Sequence, residues 1–270
     1  MAEDYLLPKG ELMRGKRGVV MGVANHNSIA WGIAAQLAAQ GAEVALLYME
    51  ANEKRVRPLG ESIGVKVWAT IDASSDSSME AAFKVVEDAW GGVDFLVHAI
   101  AYAGRDQMKG PFVENATREA FAQALDISAY SFVDASRRAS RLMPNGGSII
   151  TLTYLGSERA IPNYNTMGVA KAALEAAMRY IARDLGPQGV RVNALSAGVM
   201  RTLSLAGISG GRSMMAQGRA LSALKEDTSM EGVAGCALWL LSDLGRSTTG
   251  EVVHVDAGFH MMGLPSEEEG

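Results

Sequence analysis

At 270 residues, with 48% hydrophobic side chains and a formal net charge of −5, the chain can bury one large core and is too acidic to be a whole-surface nucleic-acid binder. Its one cysteine, Cys236, excludes a disulfide framework within the chain and reads as a buried small hydrophobe in a reducing compartment. The N-terminal run has no apolar core behind a basic start, and no apolar run reaches the roughly 20 residues needed to span a bilayer, so a cytoplasmic protein without a membrane partner is expected.

In chain order, a β-rich run at 17–21 leads through a turn of small residues into a helical pattern over 29–40. Further β-rich runs follow at 43–48, 65–69, 93–98, 148–153, 191–195 and 251–255. Between them, apolar residues at three and four spacing predict helices over 77–90, 117–143, 164–185 and 230–242. Strand and helix alternating this way require right-handed crossovers and a parallel sheet. The expected fold is α/β: a single doubly wound Rossmann-type domain over 1–270, with a seven-stranded parallel sheet and helices on both faces. The tail 265–270 is expected to fray.

The turn after the first strand holds Gly22, Ala24, Ser28, Ile29 and Gly32. Small residues there let the backbone approach a pyrophosphate, and the helix N-terminus that follows supplies N–H donors and a positive dipole end. The common G-x-G-x-x-G spelling is absent, and such glycines also serve tight turns and helix packing. His26 and Asn27 have no metal-like neighbours and read as loop polars; no metal is expected. After the second strand come Met49 and Glu50, with the basic pair Lys54–Arg55 further on, in the next helix. A 2′-phosphate needs Arg or Lys at that strand end, whereas Glu50 would repel it and accept from a ribose hydroxyl, so NADH is favoured. Glu50 read as a solvated surface carboxylate is the alternative.

The predicted helix 164–185 opens with Tyr164 and carries Lys171 seven residues later, and Tyr154 stands ten residues before Tyr164. Ordinary short-chain dehydrogenases place Tyr and Lys four apart on one helix; here that position is Met167. Seven residues is nearly two turns at about 3.6 residues per turn, so Tyr164 and Lys171 still share a face. Asn163, behind Pro162, is the expected helix N-cap.

The step from Tyr154 to Tyr164, the Tyr-x6-Lys spacing, and the strings "GKRGVVMGVANHNSIAWGIA", "LDISAYSF", "GPQGVRVNALSAG" and "GEVVHVDAG" together resemble the bacterial NADH-dependent enoyl-[acyl-carrier-protein] reductases, over nearly the whole chain. The resemblance implies that Tyr164 hydrogen-bonds the developing enolate. It implies that Lys171 holds the nicotinamide ribose while its charge favours electron density on the phenol oxygen, and that Tyr154 lines the thioester site with Ala103. It further implies adenine contacts from Asp72 and Ala73, an adenosine contact at Met49, a contact from Ile100, and closure over the nicotinamide and pyrophosphate by Met200, Arg201, Thr202, Leu203 and Ser204. A homotetramer is implied as well. Three positions depart from the family pattern: Ala101 replaces a usual glycine, Val199 a usual proline, and Met49 a residue that is often polar.

Between Asp184 and Glu226 lie Arg191, Arg201, Arg212, Arg219 and Lys225 and no acidic residue. Beside a substrate entrance, such a basic stretch would steer an acidic acyl carrier protein, the implied partner; ordinary solvated arginines are the alternative. The same stretch is small, apolar and glycine-rich at about 199–220, as a substrate lid would be. Two other functions stay open: a short-chain reductase of ketones or alcohols, and a non-catalytic nucleotide-binding paralogue.

Overall fold

The computed structural model describes residues 9–206 and 210–263. Strands β1 (Arg17–Met21), β2 (Glu43–Tyr48), β3 (Val67–Thr70), β4 (Phe95–His98), β5 (Gly147–Thr153), β6 (Val190–Ala197) and β7 (Val252–Val255) form one sheet in the order β3-β2-β1-β4-β5-β6-β7. Every pairing is parallel; Val20 lies opposite Leu46 of β2 and opposite Val97 of β4. β1, β2 and β4 are near-continuous apolar runs because helices cover both faces of the sheet.

The helices are α1 (Ile29–Ala39), α2 (Glu53–Ser62), α3 (Asp76–Trp90), α4 (Phe112–Asn115), α5 (Arg118–Leu125), α6 (Ser131–Arg141), α7 (Asn165–Leu185), α8 (Leu203–Ala206), α9 (Gly211–Leu221) and α10 (Met230–Leu241). On one face of the sheet, Phe83 of α3, Phe132 of α6 and Leu174 and Met178 of α7 pack against Val19, Leu96 and Ile149. On the other, Ile33 and Leu37 of α1, Val56 of α2 and Val233 and Ala237 of α10 pack against Val20, Leu46 and Val97. Chain direction across the sheet reverses between β1 and β4, so the crevice at the carboxyl ends of these two strands is where such folds bind ligands.

Two expectations are corrected here. The helix expected over 117–143 is interrupted: α5 gives way to a widened π turn, Asp126–Tyr130, before α6 begins. The wider turn brings Ser128 to the backbone of Tyr102, accepting from its N–H at 2.9 Å and donating to its carbonyl at 3.1 Å. Asn163 is not a helix cap: its φ is 64°, and its Oδ1 accepts from the N–H of Gly110 at 3.1 Å. The tail 265–270 lies outside the described residues. Among those described, no helix is long and apolar enough to cross a membrane.

Candidate active site

At the β1–β4 crevice, Gly22 has a φ of 97°, and a Cβ there would stand 2.2 Å from the carbonyl oxygen of Ala99. Only glycine lets these two strand ends close on each other. Beyond it, Ser28 Oγ accepts from the N–H groups of Ala24 and Asn25, each at 3.0 Å, which folds the turn back before α1 starts. Gly32 serves a different purpose from the turn: a Cβ there would meet Met230 Sδ at 2.2 Å, so it seats α1 against α10.

These residues open into a cleft of about 720 Å³. Gly22, Ser28 and Ile29 line its middle, and Met49, Asp72 and Ala73 line one end. Asp72 Oδ1 accepts from both the hydroxyl and the N–H of Ser74, and these bonds hold its carboxyl below the usual carboxylate range. Glu50 also lines this end; neither Lys54 nor Arg55 does, and Arg55 donates to Asn52 Oδ1 at 2.5 Å. Met49 is 62% exposed, an apolar side chain on the rim.

At the other end stand Tyr154, Tyr164 and Lys171. Tyr154 leaves the end of β5 in extended conformation, and Tyr164 immediately precedes α7. Their rings meet edge to face, centroids 4.9 Å apart. Asn163 and Asn165, on either side of Tyr164, both have positive φ (64° and 42°), a conformation that asparagine tolerates better than most residues. Asn165 Nδ2 donates to the carbonyls of Gln107 and Gly110, so both asparagines anchor the Tyr164 backbone to the same loop.

Burial, then Tyr154 and Glu175, pushes the Tyr164 phenol far above its ordinary value; burial, then Asp256, pushes Tyr154 up to about 12. Both phenols therefore keep their protons at neutral pH and serve as donors. The Lys171 ammonium is pulled down to about 8 by burial, opposed by Glu175. Its Nζ donates to the Leu152 carbonyl at 2.6 Å.

Ile100, Ala101, Val199, Met200, Thr202 and Leu203 also line the cleft. Arg201 is exposed and does not line it, and the side chain of Ser204 lies outside the described ones. Ala103 packs in a small apolar cluster with Tyr154 and Tyr164 rather than facing the cleft.

The basic stretch is largely committed elsewhere. Arg191 turns inward to the carbonyls of Ser242 and Thr248, Arg219 pairs with Asp227 at 3.7 Å, and Lys225 donates to the Ala220 carbonyl. The Arg212 side chain is outside those described.

Residues with no sequence signal also support the site. His98 is fully buried between the hydroxyls of Thr151 (3.1 Å) and Ser131 (2.8 Å). Glu175 sits one turn beyond Lys171 and accepts from Thr153 Oγ1. Among the described residues, no group of three or more His, Cys, Asp or Glu side chains is placed to hold a metal ion.

A sequence model of the family described as "Enoyl-(Acyl carrier protein) reductase" matches residues 22–260. The enoyl-[acyl-carrier-protein] reductase [NADH] 1 of Rhizobium meliloti is 49% identical over 254 residues, 94% of this chain and 93% of that one. The corresponding NADH enzyme of Rickettsia prowazekii is 44% identical over 93% of this chain and 97% of its own. Among solved structures, the enoyl-(acyl-carrier-protein) reductase of Anaplasma phagocytophilum in complex with NAD has a TM-score of 0.92 at 50% identity, covering 96% of this chain and 99% of that one. The Bacillus cereus enoyl-acyl carrier protein reductase, with NADP+ and an indole naphthyridinone, has a TM-score of 0.91 at 44% identity, covering 94% and 100%.

Proposed function

This chain belongs to the enoyl-[acyl-carrier-protein] reductase family, and we propose that it uses NADH to reduce the 2,3 double bond of a trans-2-enoyl thioester carried on acyl carrier protein, a step of fatty-acid synthesis. The observation that carries this reading is Tyr164: a buried, protonated phenol on the cleft wall, beside Tyr154 and immediately before the helix that carries Lys171. Gly22, Ser28 and Ile29 support the cofactor's fit, because they line the cleft at the start of α1, where the N–H groups of a helix N-terminus favour a pyrophosphate.

When bound along this cleft, reduced nicotinamide supplies the hydride that adds to C3 of the substrate. The π pair of the C2=C3 bond then becomes a C1=C2 bond while the carbonyl π pair moves onto the thioester oxygen, giving an enolate. The Tyr164 O–H donates a hydrogen bond to that oxygen, an interaction worth about 2.7–4 kcal/mol when one such donor is removed. A proton taken up from solvent at C2, as the enolate C=O re-forms, completes the saturated thioester. Lys171, held by the Leu152 carbonyl, would use its remaining N–H groups to hold the nicotinamide ribose hydroxyls. Tyr154, held against the Tyr164 ring, closes the thioester end of the cleft.

Gly22, Ser28 and Ile29 serve the pyrophosphate; Met49, Asp72 and Ala73 the adenosine; Ile100, Met200, Thr202 and Leu203 the nicotinamide side. The segment at about 199–220 acts as a lid, a role supported by the cleft contacts of Met200, Leu205 and Met214. A cytoplasmic homotetramer belongs to the same proposal, supported by the family resemblance and by a composition with one cysteine.

Ketone reduction is disfavoured because Met167, buried in the same apolar cluster as Tyr164, occupies the position where ordinary short-chain dehydrogenases carry their tyrosine. The experiment that separates the readings is turnover of a 2-enoyl thioester against the matching 3-oxo thioester. Consumption of the first alone supports enoyl reduction, consumption of the second supports the ketone reductase, and consumption of neither leaves the nucleotide-binding paralogue.

A further inference from the structure

α7 carries two charged side chains one turn apart, Lys171 and Glu175, each only 6% exposed. Each is bonded to one of two consecutive residues at the end of β5. Lys171 Nζ donates to the Leu152 carbonyl at 2.6 Å, and Thr153 Oγ1 donates to Glu175 Oε1 at 2.5 Å. The next residue of the chain is Tyr154, whose ring lies against Tyr164. Helix and strand are thus clasped at two successive points directly behind the reacting end of the cleft. A carboxylate at a core position is costly to bury, and a neutral amide would accept from Thr153 as well. What only a carboxylate adds there is charge.

We propose that Glu175 is a positioning residue for the reduction: anchored by Thr153, it keeps the buried Lys171 ammonium charged and fixed to the strand end from which Tyr154 emerges. This inference rests on the assignment of Lys171 to the nicotinamide ribose.

The groups around Lys171 leave the charge balance to this pair. On β4, His98 is bonded at both ring nitrogens and held by burial down to about 3, so it is neutral over the working range. Tyr154 is pushed up to about 12 by burial and then by Asp256, and Tyr164 is pushed higher still, so neither phenol loses its proton there. Burial brings Lys171 down to about 8, and Glu175 is the group opposing that fall. Loss of the carboxylate charge therefore makes Lys171 easier to deprotonate, and the alkaline limb of any activity that needs the ammonium moves to lower pH.

The test compares wild type, Glu175→Gln and Thr153→Val in two measurements: the pH profile of kcat/KM for a 2-enoyl thioester with NADH, and NADH affinity at neutral and alkaline pH. Glu175→Gln keeps an acceptor for Thr153 and removes only the charge. Its alkaline limb is expected about one pH unit below that of wild type, with NADH affinity falling over the same range. Thr153→Val removes the anchor and keeps the charge, so it lowers turnover and leaves the limb in place. A Glu175→Gln profile that overlays wild type, with only a drop in Tm, overturns the proposal and makes Glu175 a packing residue. If Glu175→Gln does not fold, Glu175→Met, similar in length and without an amide, is measured in its place against the same two outcomes. Should the wild type reduce no enoyl thioester, the functional reading fails, while the NADH-affinity arm still decides the role of Glu175.

Discussion

Gly156 faces the Tyr164 ring so closely that a Cβ at position 156 would stand 2.3 Å from Cδ1 of Tyr164 and 3.3 Å from Cδ1 of Tyr154. The short turn after β5 is therefore shaped around the phenol. Gly156→Ala should leave the fold intact at an overpacking cost of about 1–3 kcal/mol. It should also displace the Tyr164 ring and cut kcat by up to about a hundredfold, since misplacement by about 1 Å is enough for that. NADH affinity should change less, since Lys171 and the residues at the other end of the cleft keep their places. Steady-state kinetics beside NADH titration checks this; a normal kcat would mean that the ring relaxes without functional consequence.

Tyr164 and Lys171 are picked out in the sequence by their seven-residue spacing together with the family strings around it; in the structure Tyr164 stands just before α7 and both residues line one cleft. The central strands were legible for a different reason: β1, β2 and β4 are buried on both faces and so are near-continuously apolar. What stayed hidden was hidden by chemistry that a pattern does not carry. Asn163 looks like a helix cap because a cap and a left-handed asparagine favour the same side chain, and only the three-dimensional loop at 107–110 distinguishes them. The π turn at Asp126–Tyr130 adds one residue inside a run of helix-forming residues, with no glycine or proline to mark it. Counting charges between Asp184 and Glu226 could not reveal that Arg191 points inward to backbone carbonyls.

Cofactor preference is set at the end of β2. Glu50 lines the cleft and the cations of α2 do not, so kcat/KM should be higher with NADH than with NADPH, and Glu50→Arg should narrow the gap. That a Bacillus cereus relative was crystallised with NADP+ makes the ratio worth measuring directly. A higher kcat/KM with NADPH would mean that Glu50 points away and that Lys54 or Arg55 reaches the phosphate.

His98 makes the fold acid-sensitive. Burial, then the Lys171 charge, lowers it from 6.5 to about 3, so the unfolded chain takes up a proton near pH 6.5 that the folded chain refuses. Its contribution to stability is complete above pH 6.5 and is lost as pH falls toward 3, with a slope of at most about 1.4 kcal/mol per pH unit. Urea unfolding of wild type and His98→Gln at several values between pH 7 and pH 5 should show a flatter dependence in the variant, whatever its absolute stability. Parallel curves would remove His98 from the acid response.

Carrier recognition should be electrostatic and weak. Arg201 is exposed beside the cleft, and Arg212 belongs to the same acid-free stretch. A substrate on acyl carrier protein should lose efficiency as salt rises, because screening acts over about 8 Å at physiological ionic strength, and the same acyl group on coenzyme A should lose less. Arg212→Glu should raise KM for the carrier-bound substrate several-fold and leave kcat nearly unchanged. Equal effects on both substrates would assign Arg212 to the lid or to structure.

The most direct test of the central claim is the loss of NADH absorbance with a trans-2-enoyl-[acyl-carrier-protein], measured for wild type and Tyr164→Phe. The predicted result is turnover by wild type and a fall of about two or more orders of magnitude in the variant, with fold and NADH binding retained, from the loss of one oxyanion donor. Equal turnover by the two proteins would contradict it and remove Tyr164 from the mechanism.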